Sequence, residues 1–259
     1  MPFTRGEYPT PLLRSCAILV LALGLSACAV PGPGEAPDGI YDPNEGANRQ
    51  AHAFNKRLDS ALSGGDGPGV LSKVPAPVSA GIDNMSDTIR LPRTVVNQVL
   101  QARLGRAARN TLRFGVNATV GVVGLFDVAS HLGMPEDKSD FGETLYVWGL
   151  PEGAYMELPV LGPATERDAV GMAVDVFTNP LYYVLSWPEI TAALGVRVAD
   201  KALTRAEYGD SVDALLYGSA DSYAQLRTIY LQNRRFELGD ETSGGEDYID
   251  PEALDTEGF

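Results

Sequence analysis

Apolar positions recur at helical spacing through most of this chain and predict a mostly α protein. The first run opens at Asp42-Pro43-Asn44-Glu45. A capping carboxylate, a proline at the first helical position and a glutamate three residues past the cap satisfy orphan N–H groups there. Ala47, Ala51, Phe54, Leu58, Ala61 and Leu62 then share one face, and Gly64-Gly65 ends the run. A glycine-rich loop follows over 63–69. Pro75-Ala76-Pro77 restarts a helix through Ile82 and Ile89, and Pro92 opens the next.

Over 92–112, Leu100, Leu104, Ala107, Ala108, Thr111 and Leu112 fall on one side of a helix at 100° per residue. Arg103, Arg106, Arg109 and Arg113 fall on the other. Residues 88–113 hold six arginines and no acid. Such a face suits contact with phosphate head groups at a membrane surface, where each basic side chain contributes about 1 kcal/mol. Pairing with acids elsewhere in the fold accounts for it equally well.

Residues 114–129 are apolar, with Gly115, Gly121 and Gly124 inserted. Asp140 and Glu143 form a second capping pair, for a helix to Trp148. Residues 151–163 are broken by proline and glycine, alternate in part around Tyr155-Met156-Glu157-Leu158, and read as a short hairpin or ordered loop. Thr165 and Asp168 begin a helix through Phe177 that Asn179-Pro180 stops. Pro188 opens a long helical stretch to Tyr217, weakened at Gly195 and Gly209. Ser219 caps a last helix carrying Tyr223, Leu226, Tyr230 and Phe236.

The N-terminus changes the picture. Arg5 and Arg14, an apolar run over 17–25 and Leu25-Ser26-Ala27-Cys28 have the layout of a bacterial lipoprotein signal, with Cys28 as the acyl acceptor. Residues 1–27 are therefore expected to be removed, 28–40 to form a flexible Pro/Gly-rich tether, 41–238 to fold, and 239–259 to be a disordered acidic tail. Cys16 would leave with the signal. A single acylated sulfur then remains, which excludes a disulfide, zinc or iron–sulfur site. A net charge of −14 makes nucleic acid a poor partner. The longest later apolar candidate, 118–126, falls far short of the roughly 18–20 residues that cross a bilayer. The chain reads as anchored by its acyl chains.

Catalytic patterns are missing: no G-x-S-x-G, no phosphate loop, no G-x-G-x-x-G and no H-E-x-x-H. His52 and His131 lack a partner at ligand spacing, and Asp127 and Asp175 interrupt apolar runs as caps, ion pairs or buried acids. No catalytic residue, metal ligand or cofactor site is assigned.

Four segments resemble the VacJ/MlaA family of outer-membrane lipoproteins. The first is Asp42-Pro43-Asn44-Glu45-Gly46-Ala47-Asn48-Arg49, with Phe54-Asn55 following. Val96-Asn97-Gln98-Val99-Leu100-Gln101 and the stretch from Arg113-Phe114-Gly115-Val116-Asn117 to Gly124-Leu125-Phe126-Asp127 are similar to its central motifs. Phe141-Gly142-Glu143-Thr144-Leu145, Trp148-Gly149, Gly153-Ala154-Tyr155, Leu158-Pro159 and Arg167-Asp168 match its most characteristic part. Tyr223, Arg227, Tyr230, Gln232 and Arg234 echo its last helix. The glycine-rich loop and the acidic tail depart from the pattern.

The resemblance implies a single ring-like helical domain seated in the inner leaflet of the outer membrane, with a central polar channel. Phospholipids that have strayed into the outer leaflet would pass through it to a soluble periplasmic lipid-binding protein, with a porin trimer as neighbour and no bond broken. Asn48, Asn55, Asn97 and Asn117, uncharged polar residues inside the matched motifs, are nominated as channel lining; fixing helix ends or loops by hydrogen bonds is their alternative role. Two other functions compete: an envelope adaptor that binds porin without lipid flux, and a hydrolase dependent on His52 or His131.

Overall fold

The computed structural model describes residues 31–32, 34–36, 39–63 and 73–239. The expected leader over 1–27, Cys28, part of the tether, most of the glycine-rich loop and the acidic tail after Gly239 lie outside the described residues.

Helix α1 (Glu45–Ser63) is followed by α2 (Ala76–Leu100), α3 (Leu104–Thr119), the single turn α4 (Val128–His131) and α5 (Phe141–Val147). A two-stranded antiparallel hairpin, β1 (Tyr155–Leu158) and β2 (Gly162–Thr165), sets Tyr155 opposite Thr165 and Leu158 opposite Gly162. Then come α6 (Glu166–Thr178), α7 (Leu181–Val184), α8 (Trp187–Glu207), α9 (Gly209–Leu216) and α10 (Ser222–Leu238). The fold is mostly α with one short hairpin, as expected. Closely packed pairs are α2 with α3, α5 with α6, and α2 with α8.

Several expected boundaries moved for identifiable reasons. Asp42 does not cap α1, which starts at Glu45. Its carboxylate instead accepts from Asn48 Nδ2 at 2.8 Å and from Tyr223 and Arg227, tying the start of α1 to α10. Pro92 does not open a helix but lies inside α2, which runs 25 residues from a proline start at Pro75. The break comes instead after Leu100: Ala102 takes φ +58° and α3 begins at Leu104. The last helix is capped by Asp221, which accepts from Ala224 N at 3.1 Å, rather than by Ser219. The caps of α5 and α6 fall where expected: Asp140 accepts from Glu143 N at 2.8 Å, and Thr165 from Asp168 N at 3.2 Å. Gly171 of α6 lies against the backbone of Gly142 in α5, a contact any Cβ would prevent.

The structure shows which way the helices face. Leu104 and Leu112 of α3 are 66% and 61% exposed, whereas Asn110 and Arg113 are 0% and 3% exposed. In α1 the buried residues are Asn48 and His52, while Phe54 and Leu62 face outward. Among the described residues, eleven apolar side chains are buried against twenty-one polar or charged ones, and twenty-nine large apolar side chains are exposed. A water-soluble domain sorts the other way, because burying amides and charges is favourable only when each is bonded. The true apolar core is correspondingly small. Tyr155, Tyr223 and Leu231, flanked by Ile40 and Tyr230, join β1 to α10, with Tyr155 and Tyr223 in edge contact at 5.9 Å.

Candidate functional site

The buried polar side chains form connected networks. The central one lies where α2, α3, α5 and α6 converge. Asn97 Nδ2 donates to Asp175 Oδ1 at 2.8 Å and its oxygen accepts from Thr144 Oγ1 at 3.1 Å. Gln101 donates to Thr144 and to Ser139 Oγ at 2.8 Å, and Asn110 donates to Gln98 Oε1 at 3.0 Å and to the Asp137 carbonyl at 2.8 Å. Burial pushes the Asp175 carboxyl up, although Arg93 and Asn97 oppose the shift. The sequence interrupts α2 with Thr94, Asn97 and Gln98 at helical spacing, and all three are buried.

A second network closes the end of α3. Arg113, inside the protein, donates to Asp127 Oδ2 at 2.9 Å, to Ser130 Oγ at 2.8 Å and to the Met134 carbonyl. Asn117 donates to Asp127 Oδ1 at 2.9 Å and accepts from Ala129 N at 2.9 Å. Partial burial pushes the Asp127 carboxyl up, but hydrogen bonds from Ser130, Asn117 and Arg113 outweigh it and bring the pKa to about 2.

The third network joins α1, the hairpin and α10. Asn48 donates to the Tyr155 carbonyl at 3.1 Å and accepts from Glu157 N at 3.0 Å. Asn55 donates to Glu157 Oε1 and the Leu158 carbonyl, and accepts from Val160 N at 2.7 Å. Buried Glu157 also accepts from the Tyr155 hydroxyl at 2.6 Å. His52 places Nε2 3.0 Å from Ser222 Oγ and Nδ1 3.5 Å from Glu157 Oε1, too long for a hydrogen bond. His131 is exposed at the end of α4, far from this cluster in the chain. Arg234 of α10 bridges Asp140 and Asp168 at 2.8 Å each, with the Tyr230 hydroxyl on Asp168 at 2.6 Å. Among the described residues, no group of His, Cys, Asp and Glu has the geometry to hold a metal ion.

The nominated residues are thus placed as follows. Asn48, Asn97 and Asn117 are buried and Asn55 half-buried, and each carboxamide is engaged at both ends by protein partners. The structure does not gather all four at one spot: Asn48 and Asn55 fasten α1 to the hairpin, Asn97 joins α2 to α5 and α6, and Asn117 closes the end of α3. Of the four arginines on the basic face, Arg103 pairs with Glu143, Arg106 with Asp137 and Arg113 with Asp127. Arg109 alone of the four is exposed without an ion pair among the described residues. Of the two readings of this face, internal pairing holds for Arg103, Arg106 and Arg113, with Asp137 and Glu143 as partners that sequence spacing did not connect to α3.

Around these networks lies the apolar surface. Residues 120–126 form an exposed turn in which Val122, Val123 and Gly124 take φ of +55°, +59° and +86°. Gly124 leaves no room for a side chain beside Thr88 of α2, where a Cβ would lie 2.5 Å from the hydroxyl. Two consecutive β-branched residues in the left-handed region carry strain of about 1–2 kcal/mol each. Phe177, Tyr183, Val184 and Trp187 stand out at the junction of α6, α7 and α8, the last two 81% and 78% exposed. No described helix is long and apolar enough to cross a membrane.

A body that encloses amides, carboxylates and guanidinia and turns valine, leucine and aromatic side chains outward has a polarity suited to contact with lipid. Comparison with known proteins places it in a family. The chain belongs to the MlaA lipoprotein family, whose model matches residues 40–237. It is 33% identical over 223 residues to the intermembrane phospholipid transport system lipoprotein MlaA of Escherichia coli, covering 83% of this chain and 86% of that one. The Haemophilus influenzae protein of the same name is 28% identical over 230 residues, covering 86% and 89%. An uncharacterised protein of Rickettsia typhi is 30% identical over 196 residues, covering 75% and 77%. A solved structure described under the heading "Structural basis for maintenance of bacterial outer membrane lipid asymmetry" superposes with a TM-score of 0.62 at 30% identity, covering 76% of this chain and 98% of that one.

Proposed function

We propose that this protein is an outer-membrane lipoprotein that withdraws mislocalised phospholipids from the outer leaflet and passes them inward, maintaining lipid asymmetry. The inverted polarity carries the reading. Apolar side chains meet acyl chains outside, while bonded amides and charges inside lower the cost of moving a charged head group through hydrocarbon. The names of the relatives in Escherichia coli and Haemophilus influenzae support it.

In this account the body forms a ring around a polar channel, and acyl chains on Cys28 hold it to the periplasmic side of the membrane. Asn48, Asn55, Asn97 and Asn117 fix the walls of the polar interior. Arg109 meets head groups at the surface, and the exposed turn at 120–126 enters the acyl region. A soluble periplasmic lipid-binding protein receives the lipid, and a porin trimer is the membrane neighbour. Transport leaves the lipid chemically intact.

Deleting the gene tests the function. Phospholipid on the cell surface, read with an impermeant amine-reactive label, is expected to rise together with detergent sensitivity, and both are restored by the unaltered gene. Unchanged surface phospholipid in the deletion contradicts the function.

A further inference from the structure

One part of the polar interior has an arginine whose bonding capacity is unspent. Arg93 of α2 lines a cavity of about 140 Å³ between α2 and residues 136–140, room for a few waters or a small head-group fragment. The carboxylates that share this cavity already have cations: Asp87 has Arg90, Glu136 has Lys138, Asp137 has Arg106 and Asp140 has Arg234. Arg93 makes one ion pair, with Asp175 at 3.5 Å, and also stands near Asp140, while its buried Nε has no acceptor among the described residues. Asp175 in turn is already bonded by Asn97 and by the Phe141 amide.

Arg197 of α8 reinforces the imbalance from the other side. It is half-buried, bonds to Tyr182 and makes no ion pair among the described residues. Burial and the neighbouring Arg93 hold its pKa below the usual guanidinium value, with Tyr182 opposing the shift and Arg90 adding to it. Asp83 and Asp87 of α2 and Asp200 of α8 gather around Arg90, which pairs with Asp87 and lies 3.9 Å from Asp200. An anion at Arg93 relieves the repulsion, and nearby acids select against one of high charge.

We infer that Arg93, backed by Arg197, is a station for the singly charged phosphodiester of a lipid head group. The inference rests on the proposed transport function and names the chemical feature that the polar interior grips. Guanidinium suits it, since its fork of donors matches phosphate oxygens.

The test is a ³¹P NMR titration of the full-length, detergent-solubilised protein. The probes are dihexanoylphosphatidylcholine below its micelle concentration, inorganic phosphate, and dihexanoylglycerol, which lacks the phosphate and is followed by competition. The diester is expected to bind more tightly than either alternative. Arg93→Gln weakens diester binding by at least about tenfold, the loss of one charge-assisted contact. Arg93→Lys retains most of it, Arg197→Gln loses part, and Arg57→Gln, an exposed arginine of α1, changes nothing. Equal affinity of unaltered protein and Arg93→Gln/Arg197→Gln, at matching thermal melts, overturns the inference. Equal binding of dihexanoylglycerol or of inorganic phosphate also does so. If Arg93→Gln fails to fold, Arg93→Lys and Arg197→Gln decide. A vesicle transfer assay separates the two levels. Transfer by unaltered protein with no effect of the double variant removes the phosphate station and leaves transport standing, whereas no transfer by unaltered protein removes transport itself.

Discussion

Arg113 concentrates the residue-scale logic of this protein. Its guanidinium is enclosed, and Asp127, Ser130 and a main-chain carbonyl divide its donors. Removing one side of such a pair leaves a buried charge unanswered, so Arg113→Ala is expected to cost about 3–5 kcal/mol in denaturant unfolding. Asp127 gives the pH counterpart. Its folded pKa, about 2, lies below the ordinary carboxylate value, so its stabilisation is full above about pH 4 and is lost as pH falls through 2. Thermal melts should show a smaller acid-induced loss over that window for Asp127→Asn than for unaltered protein; an identical pH slope contradicts the assignment. Arg106 and Arg109 should part company in the same way. Arg106→Glu sets a like charge against Asp137 and lowers the melting temperature. Arg109→Glu leaves stability nearly unchanged and weakens binding of unacylated protein to anionic vesicles.

At the scale of elements, the strained turn after α3 is the sharpest case. Valine is poorly suited to a positive φ, and asparagine tolerates it well. Val122→Asn with Val123→Asn is therefore expected to preserve or raise stability in detergent while reducing partition into vesicles, measured by sedimentation. Reduced stability with unchanged partition would show that the valines serve packing. Helix spans and caps were legible here because they depend on local chemistry: the proline start of α2, the Asp140 cap of α5 and the Thr165 cap of α6 are each written within four residues. What periodicity does not carry is which face turns inward. On α3 it found two faces without saying which one turns inward, since a 3.6-residue period is the same whether the outside is water or lipid. Pro92 misled for a related reason: a helix packed on neighbours tolerates the lost hydrogen bond that would end a free one. The asparagine motifs were visible, but their partners lie up to 109 residues away along the chain.

For the whole molecule, polarity and family membership converge on one physical task. In the proposed account, apolar side chains outside rest in lipid, and the bonded polar interior gives head groups an alternative to hydrocarbon. The close backbone contact of α5 and α6 helps hold that interior together, and Gly171→Ala is expected to loosen it, lowering both the melting temperature and transfer activity. The most direct measurement uses purified, acylated protein in donor vesicles. Movement of a labelled phospholipid to acceptor vesicles carrying a soluble lipid-binding protein is followed by fluorescence, and the lipid is recovered for mass spectrometry. The account predicts transfer well above the protein-free rate, with the lipid recovered intact. Transfer at the protein-free rate, or recovery of the lipid as cleaved products, contradicts it.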